Sequence, residues 1–119
     1  MTKVLVACIY ICVMENKLDT DHLVEDLQSS AHEAAALMKT LSNTARLMIL
    51  CQLVEGERSV AELEKNLDTK QPNVSQQLAR LRMEGYVTTR REGRTIYYSL
   101  ADQRVASVIG NLHATFCPR

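Results

Sequence analysis

Tryptophan is absent from this sequence of 119 residues, phenylalanine occurs once and tyrosine four times. So few rings argue against a platform on which single-stranded bases stack in succession. Long apolar runs are missing too. Val4–Met14, VLVACIYICVM, has eleven residues, against the roughly 20 that a membrane-spanning helix needs. Only Lys3 carries charge in front of it, and the acidic ENKLDTDHL follows where a secretory leader would place small residues. The run does not read as a signal peptide, and no membrane partner is expected. The four cysteines, at 8, 12, 51 and 117, are too few and too unevenly spaced for a secreted disulfide framework, which points to a reducing, cytoplasmic setting. Neither a phosphate-cradling glycine loop nor a grouped acid, base and nucleophile occurs, which argues against an enzyme.

What is present is one domain's worth of chain, short enough that a partner subunit is expected to cover part of its apolar surface. Residues 21–119 read as that domain. Residues 1–20 read as an N-terminal extension of open status, with Met14 an alternative initiator and Cys8 and Cys12 at i,i+4 spacing. The net charge of zero hides a segregation. Residues 1–68 carry six Lys/Arg against eleven Asp/Glu, whereas residues 69–94 carry six Lys/Arg against two Glu. A basic segment inside a neutral chain suggests a face that meets a polyanion, because phosphate neutralisation is local.

The periodicity gives that segment a shape. Asp21 to Leu41 favours helix, with alanines at 31 and 34–36. LSNTARLMILCQLVEG restarts a helix after Ser42 or Asn43, either of which can cap it, and Gly56 ends it. SVAELEKNL opens with Ser59 and Glu62 at capping-box spacing and puts Val60, Leu63 and Leu67 on one stripe. QPNVSQQLARLRMEG begins a further helix at Pro72, with Val74, Leu78 and Leu81 facing inward. Gln76, Ala79, Arg80 and Met83 face the other way, with Asn73 and Ser75 on the flanks. Amides and arginine on such a face suit base edges and phosphates. YVTTRREGRTIYYSL then reads as a β-hairpin turning at Gly93, with Arg90, Arg91 and Arg94 crowding its tip. Two short helices followed by a basic hairpin make a winged helix-turn-helix: a mainly α fold with a small β wing, whose second helix would enter the major groove while the wing touches backbone. The candidate reading residues are Gln71, Asn73, Ser75, Gln76, Gln77 and Arg80, and the candidate wing contacts Arg90, Arg91 and Arg94. A final helix carries Val105, Val108, Ile109, Leu112 and Phe116 at helical spacing. Its stripe can pack on the monomer's own core, and also on the first helix and a second copy in a homodimer.

The run from Leu41 to Leu100 resembles the ArsR/SmtB family of dimeric bacterial repressors, and the similarity extends from about residue 30 to the end. The resemblance implies five helices and a wing, a double-stranded operator with an inverted repeat, and release of DNA when an inducer binds. The family often has His where this chain has Gln77, and His-Pro where it has Asn43-Thr44. Its familiar metal sites lack their ligands here. SVAELEKNL contains no cysteine, and Asp102 is followed by Gln103 and Arg104, leaving His113 alone. No metal or other cofactor is expected, since zinc wants about four nitrogen or sulfur ligands.

Cys51 in LCQLVEGE and Cys117 in FCP resemble the paired thiols of the family's sulfide-responsive branch, the BigR, SqrR and HlyU-like repressors. That similarity implies a sensor of a small sulfane-sulfur inducer, in which persulfide bridges the two thiols and the operator is released. Leu47, Met48, Leu50 and Glu55 around Cys51 should discourage its ionisation. His113, one helical turn before Cys117, is the candidate activator of that thiol. Two alternatives stay open: a metalloid or general-oxidant regulator using the same cysteines, and a DNA-binding module in which they merely pack.

Overall fold

The computed structural model describes residues 22–67 and 74–117. Within them lie α1 (Leu23–Gln28), α2 (Ala31–Leu41), α3 (Thr44–Glu55), β1 (Arg58–Ser59), α4 (Val60–Asn66), α5 (Val74–Met83), β2 (Val87–Glu92), β3 (Thr95–Leu100) and α6 (Gln103–Phe116). The winged helix-turn-helix expected from the pattern is present, with six helices among the described residues where five were expected. The extra one arises because the segment read as a single helix to Leu41 breaks at Ser29-Ser30. There the Ser30 N–H turns back to Leu27 O at 3.0 Å and the Ser29 hydroxyl donates to Asp26 O at 3.4 Å. Serine competes for backbone partners in this way, which is why it is a poor interior helix residue.

The other boundaries follow local chemistry. Asn43, in extended conformation, accepts the Arg46 N–H at 3.1 Å and starts α3. Gly56 ends that helix at φ +149°, a backbone that side-chain-bearing residues rarely adopt. Ser59 and Glu62 form the reciprocal capping box of α4, with Ser59 N–H to Glu62 Oε1 at 2.9 Å and Glu62 N–H to Ser59 Oγ at 3.2 Å.

β2 and β3 pair antiparallel from Val87 opposite Leu100 to Glu92 opposite Thr95, leaving Gly93-Arg94 as a two-residue turn with Gly93 at φ +64°. A third strand joins them: β1 pairs Arg58 with Tyr98 and Ser59 with Tyr97, giving the sheet order β1-β3-β2. At two residues, β1 is too short to leave an alternation in the sequence. The core draws on five helices and one strand: Leu37 and Leu41 of α2, Ile49, Leu50 and Leu53 of α3, Leu63 of α4, Val74, Leu78 and Leu81 of α5, Val87 of β2, and Val105 and Ile109 of α6. Each such side chain, fully buried, contributes about 1.5–3 kcal/mol. The stripe read on α5 is thus the buried one, and α5 is fixed in the fold with its opposite face outward.

Candidate functional site

The outward face of α5 carries Ser75, Gln76, Ala79, Arg80 and Met83, all exposed. Gln71 and Asn73, the other two candidates, lie outside the described residues. Gln77 is different. It is half-buried, and its Oε1 accepts a hydrogen bond from Arg46 Nη1 at 3.0 Å. Arg80 is exposed but shares a carboxylate, its Nε donating to Glu84 Oε2 at 3.3 Å.

Arg46 itself lies on the α3 stripe of Ile49, Leu50 and Leu53 and is only 6% exposed. A buried guanidinium must be hydrogen-bonded, and this one is. Its Nε donates to Thr40 O at 2.9 Å and its Nη2 to Lys39 O at 3.5 Å, satisfying carbonyls at the C-terminal end of α2. Burial, followed by the repulsion of Arg80, makes its proton easier to lose than an ordinary arginine's, and Glu84 opposes this. The Thr40 hydroxyl donates to Glu84 Oε1 at 2.8 Å. The last turn of α2 is therefore tied twice, through Arg46 to Gln77 of α5 and through the Thr40 hydroxyl to Glu84, one residue past the end of α5.

The three wing arginines are not equivalent. Arg90 is clamped: Nη2 and Nε donate to the two oxygens of Glu57 at 2.7 and 3.1 Å, Nη1 donates to Glu92 at 3.0 Å, and its guanidinium carbon lies 4.8 Å from the centre of the Tyr97 ring. These carboxylates hold its proton more tightly than in a free arginine, and the Arg90 hydrogen bond keeps Glu57 below the usual carboxylate range. Arg91 donates to Gly93 O, at 3.3 Å. Arg94 stands exposed in the hairpin turn. Arg91 and Arg94 thus keep charge available to a polyanion, while Arg90 ties the wing to the segment that follows α3.

The two distant cysteines lie on α3 and at the C-terminal cap of α6, two helices that pack together. Cys51 is half-buried, Cys117 is exposed just beyond Phe116, and neither is in a disulfide. Burial raises the pKa of the Cys51 thiol; the nearby Cys117 raises it further, and Glu55 adds to both. His113 holds the end of α6 through its backbone, its carbonyl accepting the Cys117 N–H at 3.0 Å. Its side chain is exposed on the last turn of that helix.

With this arrangement in view, comparison with known proteins is decisive. Residues 43–89 match the model of bacterial regulatory proteins of the arsR family. A biofilm growth-associated repressor from Agrobacterium fabrum is 47% identical over 105 residues, 87% of this chain and 90% of that protein. The chain belongs to the arsR family of bacterial regulatory proteins. Like its relatives, this arsR-family member is a DNA-binding transcription regulator, not an enzyme. Among solved structures, the crystal structure of the transcriptional repressor BigR from Xylella fastidiosa superposes with a TM-score of 0.75 at 46% identity, covering 80% of this chain and 97% of that one. Reduced HlyU from Vibrio cholerae superposes with a TM-score of 0.70 at 38% identity, covering 79% and 99%. The chain falls with the BigR and HlyU-like members of its family. No helix among the described residues is long and apolar enough to cross a membrane.

Arg46, Thr40, Glu84 and Glu57 were not among the residues singled out from sequence. A signal for Arg46 existed, since it occupies the i position of an i, i+3, i+4, i+7 apolar stripe. The other three are polar residues whose partners lie 33 or 44 positions away, and local patterns do not encode such pairs.

Proposed function

We propose that this regulator is a homodimeric repressor that reads an inverted-repeat operator through α5 and releases it when Cys51 and Cys117 are bridged by reactive sulfur. What supports the sensing part is the placement of two free thiols, Cys51 on α3 and Cys117 at the C-terminal cap of α6, the helix that packs on α3. The redox state named for the similar Vibrio cholerae structure, reduced HlyU, and the repressor role named for the Xylella fastidiosa and Agrobacterium fabrum relatives support the same reading. The apolar surface left on α1 and α6 supports the dimer: Val24 is 71% exposed, Leu27 51% and Phe116 75%.

On this reading the exposed Cys117 attacks first, and the half-buried Cys51, whose thiol burial makes harder to ionise, attacks second as the thiolate and resolves the product. His113 remains the candidate activator of Cys117. The chemistry balances with a persulfide RSSH as both donor and oxidant. Two RSSH and two cysteine thiols give a bridge with one sulfur inserted between the two Sγ atoms, two RSH and one hydrogen sulfide. One sulfane sulfur is incorporated, and the other leaves as sulfide carrying the two electrons.

A direct disulfide requires Cα atoms roughly 4.4–6.8 Å apart, so an inserted sulfur suits cysteines held beyond that reach. The test is mass spectrometry of reduced full-length protein treated separately with a persulfide donor and with peroxide, alongside DNA binding. The expected result is a sulfur-inserted internal bridge and loss of DNA binding with persulfide alone, both abolished in Cys51→Ser and Cys117→Ser. A plain disulfide formed by peroxide with the same loss of binding would replace this reading by that of a general oxidant sensor. An unchanged DNA response in both serine variants would reduce the cysteines to packing residues.

A further inference from the structure

We infer that Arg46 is a positioning residue for DNA recognition: it sets the reading helix against α2 and α3 by holding Gln77, so that Gln77 acts inward as a docking point and not outward as a base reader. The inference rests on the reading of α5 as the DNA-facing helix and is independent of the sulfur chemistry.

Three observations carry it. Arg46 is buried, so its guanidinium cannot itself meet DNA and must satisfy its donors within the protein. It does so at the end of α2 and on α5 together, with Thr40 O and Lys39 O on one side and Gln77 Oε1 on the other. One rigid fork thereby fixes three helices at a point in the first turn of α3 and one turn into α5. Thr40, 1% exposed, serves both tethers, accepting from Arg46 at its carbonyl and donating from its hydroxyl to Glu84 beyond the far end of α5. The reading helix is thus pinned to one platform near both ends. A helix entering a groove needs an angle fixed to a small tolerance, since misplacement weakens paired contacts to base edges far more than it weakens general attraction to phosphate.

The role of Gln77 separates this from base reading. A glutamine that reads a base uses both its oxygen and its NH2, so Gln77→Glu would destroy the contact and place a carboxylate at the DNA. A glutamine that docks on Arg46 uses its oxygen, which glutamate supplies as well or better. The measurement is the ratio of affinities of full-length protein for two duplexes: one selected by the wild-type protein from a random-sequence library, and a scrambled control.

Gln77→Glu is expected to keep the selected-over-scrambled ratio within about threefold of wild type, any added repulsion weakening both duplexes alike. Gln77→Met is expected to lower the ratio at least tenfold. Arg46→Met should lower the ratio to a similar extent, and adding Gln77→Met to it should bring little further loss, as members of one contact are non-additive. Should Arg46→Met fail to fold, the Gln77 pair alone decides. A ratio lost in Gln77→Glu, or retained in Gln77→Met, overturns the proposal. A wild-type protein that selects no sequence overturns the assignment of α5 and this inference with it, a failure distinct from the other two.

Discussion

The two parts of the molecule proposed to meet DNA are held by different physics. Helix α5 is anchored by a buried arginine, a buried threonine hydroxyl and a leucine-rich face. The wing is anchored by an exposed arginine between two carboxylates and an aromatic ring. Both anchors reach back to the surroundings of α3, the helix that carries Cys51: Arg46 lies in its first turn and Glu57 two residues past its end. The contrast is informative because buried hydrogen bonds respond little to salt, whereas exposed ion pairs are screened by it. A regulator built this way keeps the angle of its reading helix over conditions in which its wing loosens.

The sharpest way to break the comparison is at the buried anchor. Thr40→Val keeps the shape of the side chain and removes the hydroxyl that Glu84 Oε1 accepts at 2.8 Å. The expected loss is about 1–3 kcal/mol of unfolding free energy. It should be nearly the same at low and high salt, read by urea denaturation at several ionic strengths. A loss that fades as salt rises would place this bond with the surface pairs and erase the distinction.

The wing should behave in the opposite way. Glu57→Gln replaces a doubly hydrogen-bonded carboxylate by an amide. A modest fall in melting temperature is expected at low salt, disappearing near 1 M, where the Debye length is about 3 Å. The pH dependence carries the same sign. The folded-state pKa of Glu57 is lowered by Arg90. Its contribution is therefore present above the ordinary carboxylate range and lost as pH falls through the folded value. The gap between wild type and Glu57→Gln should close in acid, as in salt.

The same contrast explains what could be read in advance. Helices that bury a periodic stripe declare themselves: Val74, Leu78 and Leu81 set the orientation of α5, and Ser59 with Glu62 marks the start of α4. The hairpin follows from Gly93 between β-branched and aromatic runs. The Ser29-Ser30 break does not show in the sequence because the helix-favouring residues on either side, alanine-rich after it, outweigh two serines in any propensity sum, while the local hydrogen bonds to Leu27 O and Asp26 O accompany the break. For the candidate site, residue types tell which segment is basic but not which charges are already neutralised. Arg90 and Arg91 are adjacent and chemically identical, yet one is clamped by Glu57 from 33 residues away and the other is not.

That difference yields the smallest effect expected, and the one that most directly separates the wing's charges. If Arg94 meets a phosphate, Arg94→Ala should reduce the steepness of log K against log salt by about 0.9 and weaken selected and scrambled duplexes equally. Arg90→Ala should leave that slope nearly as it was, since a guanidinium already facing two carboxylates displaces few counterions from DNA. Equal slope changes in Arg90→Ala and Arg94→Ala would mean that DNA strips Arg90 from its carboxylates. The wing would then be a second adjustable contact and not a tethered one.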